Sequence, residues 1–96
     1  MKALLIQKDI KDLDYKRHLD EASRRKPDLV CFGELATSGC LYNGGKVPPH
    51  EAIVRELASY SFSTFIGLPR LVEGRLYNSY AFVDGDDVQF YDKINL

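Results

Sequence analysis

Ninety-six residues, 45% hydrophobic and 28% charged, are enough for one small globular domain and unlike a disordered chain. A net charge of −1 gives no general electrostatic reason to bind nucleic acid or an anionic membrane, and no apolar run approaches bilayer-spanning length. The two cysteines, Cys31 and Cys40, form neither a CxxC motif nor a disulfide framework, so the expected compartment is the cytosol, with both thiols reduced.

KALLIQ (2–7) is a short apolar run that predicts a buried strand, and Ala3 to Ile6 are too few for a secretory signal. Tyr15, Leu19 and Ala22 then recur at helical spacing among charges, with Asp12 or Asp14 available to cap the start. Pro27 is expected to close this helix, because proline disfavours helical geometry in the residue before it. The basic cluster SRRKPD (23–28) would then sit at the helix C-terminus, where cations suit the dipole. DLVCF (28–32) predicts a second buried strand. Strand, helix and strand in about thirty residues make a βαβ unit, with its strands parallel.

LATSGCLYNGGKVPP (35–49) predicts a loop of a length that is usually functional or mobile. A second helix is expected to begin near Pro49 and to bury Ile53, Val54, Leu57 and Ala58. FSTFIGLP (62–69) predicts a third strand, stopped by Pro69. RLYNSYAFVD (75–84) and DVQFYDKINL (87–96) predict a hairpin turning at Asp84-Gly85-Asp86. Alternation places Tyr80 and Phe82 on one face, Ala81 and Val83 on the other, and Ile66 and Leu68 opposite Phe65.

Several chemistries lack their motifs. There is no GxGxxG or GxxxxGK[ST], and Gly44-Gly45 alone makes no phosphate cradle. His18 and His50 lack metal-ligand spacing and read as exposed helix residues. DGDD (84–87) lacks the later ligands of a calcium loop and reads as a solvated turn. No cofactor or metal is implied. What remains is Glu34, at the mouth of an apolar strand, and Lys93, flanked by Phe90, Tyr91, Ile94 and Leu96. Taken singly, each reads as a strand end reaching solvent. As a pair, each stabilises the other's charge, and such a pair suits acid–base work and the holding of a developing oxyanion.

DLVCFGELATSG resembles the glutamate motif of the carbon–nitrogen hydrolase (nitrilase) superfamily: an apolar strand, a small residue, Glu-Leu, then a small-polar-Gly turn. GRLYNSYAFVDGDDVQFYDKINL resembles its second motif, a Tyr-Asn-Ser strand, a turn, and a strand ending in Tyr-x-Lys-x-x-Leu, and FIGLPR (65–70) fits the strand between them. The resemblance covers essentially the whole chain. It implies an α/β fold: half of an αββα sandwich, a mixed sheet of about five strands with two helices on one face. It also implies a Cys–Glu–Lys triad acting on the C–N bond of a small amide or nitrile. Glu34 matches the general base and Lys93 the cation that stabilises the tetrahedral intermediate.

The family's cysteine follows its lysine by some dozens of residues, so residues 1–96 are expected to be the N-terminal part of such a domain, inactive alone. Cys31 lies an odd number of positions from Glu34 and reads as a core residue on the opposite face. Cys40, in the long loop, lacks an identifiable activating site, and Tyr42 follows where the family usually has an aromatic close by. The chain is expected to pair with a copy of itself or with a C-terminal half. Alternatives are a non-catalytic interaction module or one chain of a split enzyme. A phospho-receiver-like domain fits worse, because it needs parallel crossovers where this sequence predicts a hairpin.

Overall fold

Side-chain alternation along five strands divides the sheet into one covered and one open face, in a computed structural model that describes residues 1–9, 11–38 and 49–93. In chain order the elements are β1 (Ala3–Ile6), α1 (Tyr15–Ser23), β2 (Leu29–Phe32), α2 (His50–Leu57), β3 (Ser63–Val72), β4 (Arg75–Asp84) and β5 (Asp87–Asp92). They form one sheet in the order β1-β2-β3-β4-β5. The first three strands are parallel and the last two run antiparallel to their neighbours. This is the expected mixed sheet with two helices, α/β in class and consistent with half of an αββα sandwich.

The core lies between the helices and one face. Val30 and Phe32, Ile66 and Leu68, and Ala81 and Val83 are all buried in one cluster with Leu19 and Ala22 of α1 and Ile53 and Leu57 of α2. The other face carries the alternate positions. Cys31 is in register with Phe65, and Phe65 with Phe82. Phe65 stacks on Tyr80 with ring centroids 4.9 Å apart. Leu5, Leu71, Leu76 and Tyr91 are exposed. By register all four belong to this open face, since Leu5 pairs Cys31, Leu71 pairs Leu76, and Tyr91 pairs Tyr80.

Local chemistry explains the element ends, and in three places it corrects the sequence reading. Asp14 caps α1, its carboxylate accepting from the Arg17 N–H at 3.1 Å. The helix stops at Ser23, well before Pro27, in a tight turn where Arg25 and Lys26 bond back to Ala22 and Ser23 and Lys26 takes φ 49°. The exposed basic residues 24–26 therefore lie past the last turn, not within it. α2 begins directly after Pro49, which is its N-cap.

β3 does not stop at Pro69 but continues to Val72. The N–H groups of Ser63 and Gly67 point toward the β2 side, bonding Asp28 and Gly33 carbonyls, and Pro69 is in phase with them. β2 has ended by that point, so the missing donor breaks no ladder bond. A second hairpin follows at Glu73-Gly74, with φ 49° and 78°, the positive pair that a two-residue type I′ loop demands.

Neither histidine is an exposed helix residue. His18 is part-buried, bonded to Asp12 at 2.8 Å and set edge-on to Phe32. His50 packs edge-on against Phe90, with centroids 5.4 Å apart. Both rings are largely buried, with 18% and 12% of their side-chain surface exposed, and each keeps a carboxylate partner on Nε2. No helix among the described residues is long and apolar enough to cross a membrane.

Candidate active site on the open face

β2 ends at Phe32, and residues 33–38 then turn across β3. The Gly67 N–H donates to the Gly33 carbonyl at 3.1 Å, tying the turn down. The approach is close enough to require glycine. A Cβ at position 67 would lie 2.5 Å from the Gly33 oxygen, 2.6 Å from the Leu35 nitrogen and 2.7 Å from the Glu34 Cα. Leu35 takes φ 51°, a left-handed conformation uncommon for a bulky side chain and typical of turns that hold a functional group.

This turn carries Glu34 over to the end of β4 and β5. Lys93, one residue past β5, donates from Nζ to Glu34 Oε1 at 3.2 Å, across 59 residues of sequence. Asn78 of β4 donates from Nδ2 to the same oxygen. The Lys93 backbone N–H in turn donates to the Asn78 carbonyl at 2.9 Å. Glu34 and Lys93 are about half exposed, at 48% and 47% of their side-chain surface.

The Asn78 bond, and then the Lys93 bond and charge, hold the Glu34 carboxyl below the usual carboxylate range, against a small opposing effect of burial. At neutral pH the group is therefore an anion with one oxygen occupied by donors. Chemically it can accept a proton, beside an ammonium that can stabilise negative charge.

The structure thus brings together Glu34 and Lys93, the two residues singled out from sequence. Cys31 is placed otherwise than expected. It is half-buried on the open face, in register with Phe65, not in the core. Alternation from Cys31 holds only to Phe32, after which the turn folds Glu34 over that same face. Burial pushes the Cys31 thiol up, away from thiolate character. Cys40, Tyr42, Gly44-Gly45, Ile94 and Leu96 lie outside the described residues.

Two residues were missed. Asn78 sat inside the quoted Tyr-Asn-Ser motif without a role, and only the pairing of β3 with β4 sets it beside Glu34. Lys8 lines a cleft of about 290 Å³ with Ile6, Gln7 and residues 33–36. Burial pushes its ammonium pKa down against the pull of Asp12 and Asp9. Among the described residues, no three His, Cys, Asp or Glu side chains group as a metal site.

No protein-family model matches the sequence, and no curated protein matches it significantly. Solved structures do. A crystal structure of N-terminal amidase aligns at 26% identity and TM-score 0.70, covering 100% of this chain and 28% of the amidase. The same amidase with a Gln-Gly peptide aligns at 25% identity and TM-score 0.72, again over 100% of this chain and 28% of the amidase. A CN-hydrolase superfamily protein from Xanthomonas campestris, with an arsenic adduct in its active site, aligns at 22% and TM-score 0.66 over 100% of this chain and 39% of its own. At that last identity the likeness is one of fold. The chain thus spans little more than a quarter of the amidase, and its structural neighbours are N-terminal amidase and carbon–nitrogen hydrolase superfamily proteins, matching it over its whole length.

Proposed function

We propose that this chain is the N-terminal part of a carbon–nitrogen hydrolase domain, supplying the general base and the oxyanion cation while a cysteine outside these residues supplies the nucleophile. The observation that carries the reading is the convergence of Lys93 and Asn78 on one oxygen of Glu34. In the reaction the cysteine thiol attacks the amide or nitrile carbon as Glu34 takes its proton. Lys93 stabilises the negative charge that develops on the substrate oxygen or nitrogen. With an amide, Glu34 returns that proton to the leaving nitrogen and ammonia departs; with a nitrile the thioimidate first takes up a water and then releases ammonia in the same way. A water activated by Glu34 then hydrolyses the acyl-enzyme, freeing the acid and the thiol. An amide is the first substrate class to test, since structural neighbours of this chain include N-terminal amidase solved with Gln-Val, Asn-Glu and Gln-Gly peptides.

The open face supports a second layer. Covering it would also withdraw water from Glu34, raising the proton affinity of a carboxylate that is a weak base while half exposed. The layer would be a C-terminal half or a second copy, in the reducing cytosol that a thiol nucleophile needs.

Alone, the 96-residue chain is expected to release no ammonia above background from simple amides or nitriles. Turnover abolished by Cys40→Ser but kept in Cys31→Ser would overturn this and put the nucleophile within the chain. The coding region that follows is expected to specify a cysteine at a strand-to-helix elbow. Its absence would favour a non-catalytic module.

A further inference from the structure

On the covered face, directly behind Lys93, lies a polar network that the proposed chemistry does not use. Asp92, the last residue of β5, accepts from Ser79 Oγ at 2.5 Å and from Arg70 Nη1 at 2.7 Å. Ser79 is fully buried, and the Arg70 guanidinium lies 4.2 Å over the Phe90 ring. One side chain of β5 is thereby bonded to β4 and β3 at once. Among the described strands β5 has β4 as its one neighbour, and the last residue of such an edge strand is where pairing frays.

Alternation sends Asp92 and Lys93 to opposite faces. Whatever locks Asp92 therefore sets where the Lys93 backbone leaves the sheet and on which side its ammonium emerges. The Lys93 N–H is held in turn by the carbonyl of Asn78, the residue next to Ser79. Adjacent residues of β4 thus act on both members of the pair: Asn78 bonds Glu34 on the open face, and Ser79 bonds Asp92 on the covered one.

We propose that Asp92, with Ser79 and Arg70, is a positioning element that clamps the end of β5 and aims Lys93 at Glu34. It rests on the Glu34–Lys93 pair of the proposed function and deepens it. None of the three touches the reacting atoms. The physical reason for such a clamp is entropic: a lysine on a frayed strand end samples many positions, whereas a fixed backbone leaves only the side-chain torsions to be ordered.

The test is the titration of Glu34, followed by the ¹³C shift of its carboxyl carbon in the 96-residue chain. Three variants are compared with the wild type, each checked for the dispersed amide spectrum of a folded chain: Lys93→Met, Ser79→Ala and Asp92→Asn. Lys93→Met sets the full effect of losing the ammonium, a rise in the Glu34 midpoint. Ser79→Ala and Asp92→Asn are each expected to produce most of that rise. The sign is discriminating, because removing the Asp92 negative charge by itself would lower the Glu34 midpoint, not raise it. A midpoint that moves in Lys93→Met but stays fixed or falls in both clamp variants overturns the clamp and leaves the pair intact. A midpoint unmoved in Lys93→Met overturns the pair itself. Ser79→Ala, which changes no charge, serves alone if Asp92→Asn does not fold, with the same expected rise and the same overturning result.

Discussion

Glu34 reaches its partners because position 67 has no side chain. The three atoms that a Cβ would meet there all belong to the backbone of residues 33–35, which cannot swing aside as a flexible side chain would. Gly67→Ala must therefore lift the turn, stretch the bond from the Gly67 N–H to the Gly33 carbonyl and draw the carboxylate away from Asn78 and Lys93. The expected cost is about 2 kcal/mol, or roughly 10 °C in melting temperature for a domain of this size. Thermal denaturation checks the first effect. The second appears as a Glu34 titration shifted up toward the ordinary carboxylate range, since both donors that depress it would be farther away. An alanine variant that melts with the wild type and keeps the low Glu34 titration would show that the turn is held by something other than this contact.

At the level of elements, α1 is joined to α2 and the segment after it by two tyrosine–carboxylate bonds. The Tyr15 hydroxyl of α1 faces Glu56 of α2 at 3.5 Å, and the Tyr60 hydroxyl donates to Asp20 of α1 at 2.6 Å. Burial, and then the Glu56 charge, push Tyr15 up to about 12, and Tyr60 is raised by burial and by Asp20. The folded state thus holds both protons more tightly than the unfolded chain, whose tyrosines titrate near about 10. Stability from these bonds is complete below that pH and is lost as pH climbs from about 10 through 12. Denaturant melts at pH 8 and pH 11 are expected to show a marked loss for the wild type. The Tyr15→Phe/Tyr60→Phe double variant should lose less between the two pH values, while starting about 1 kcal/mol lower at pH 8. Equal losses in both proteins would mean that the bonds do not form in solution.

For the whole molecule, the open face decides behaviour in solution. Leu5 is 84% exposed, Tyr91 66% and Leu71 55%, beside half-buried Cys31, Tyr80 and Phe82 on the same side of the sheet. Exposed apolar side chains shared by all strands of one sheet face are what a monomer ordinarily covers. At about 25 cal/mol per Å², even 400 Å² left in water forgoes roughly 10 kcal/mol, an upper bound comparable to the stability of a whole domain. Association through this face is the expected outcome at micromolar concentration, with a copy of the chain where no second half is present. Sedimentation velocity checks it. A single monomeric species with a cooperative melt would count against both the association and the two-layer reading.

Periodicity by itself determined which segments form strands and helices and which residues face the core. The α1 stripe of Tyr15, Leu19 and Ala22 and the alternation of Ala81 and Val83 against Tyr80 and Phe82 depend on local geometry with a fixed repeat, so they are legible before any partner is known. The two charged residues at strand ends were legible for the same reason, as exceptions to the apolar pattern. What alternation could not carry is anything past the end of a strand. It failed between Cys31 and Glu34, where a turn replaces the two-residue repeat, and at Pro69, whose tolerance depends on a neighbouring strand having ended. The role of Asn78 and the clamp at Asp92 were invisible for a deeper reason. Each rests on which residues of β3, β4 and β5 stand side by side, and register is a property of packed strands that no single segment encodes.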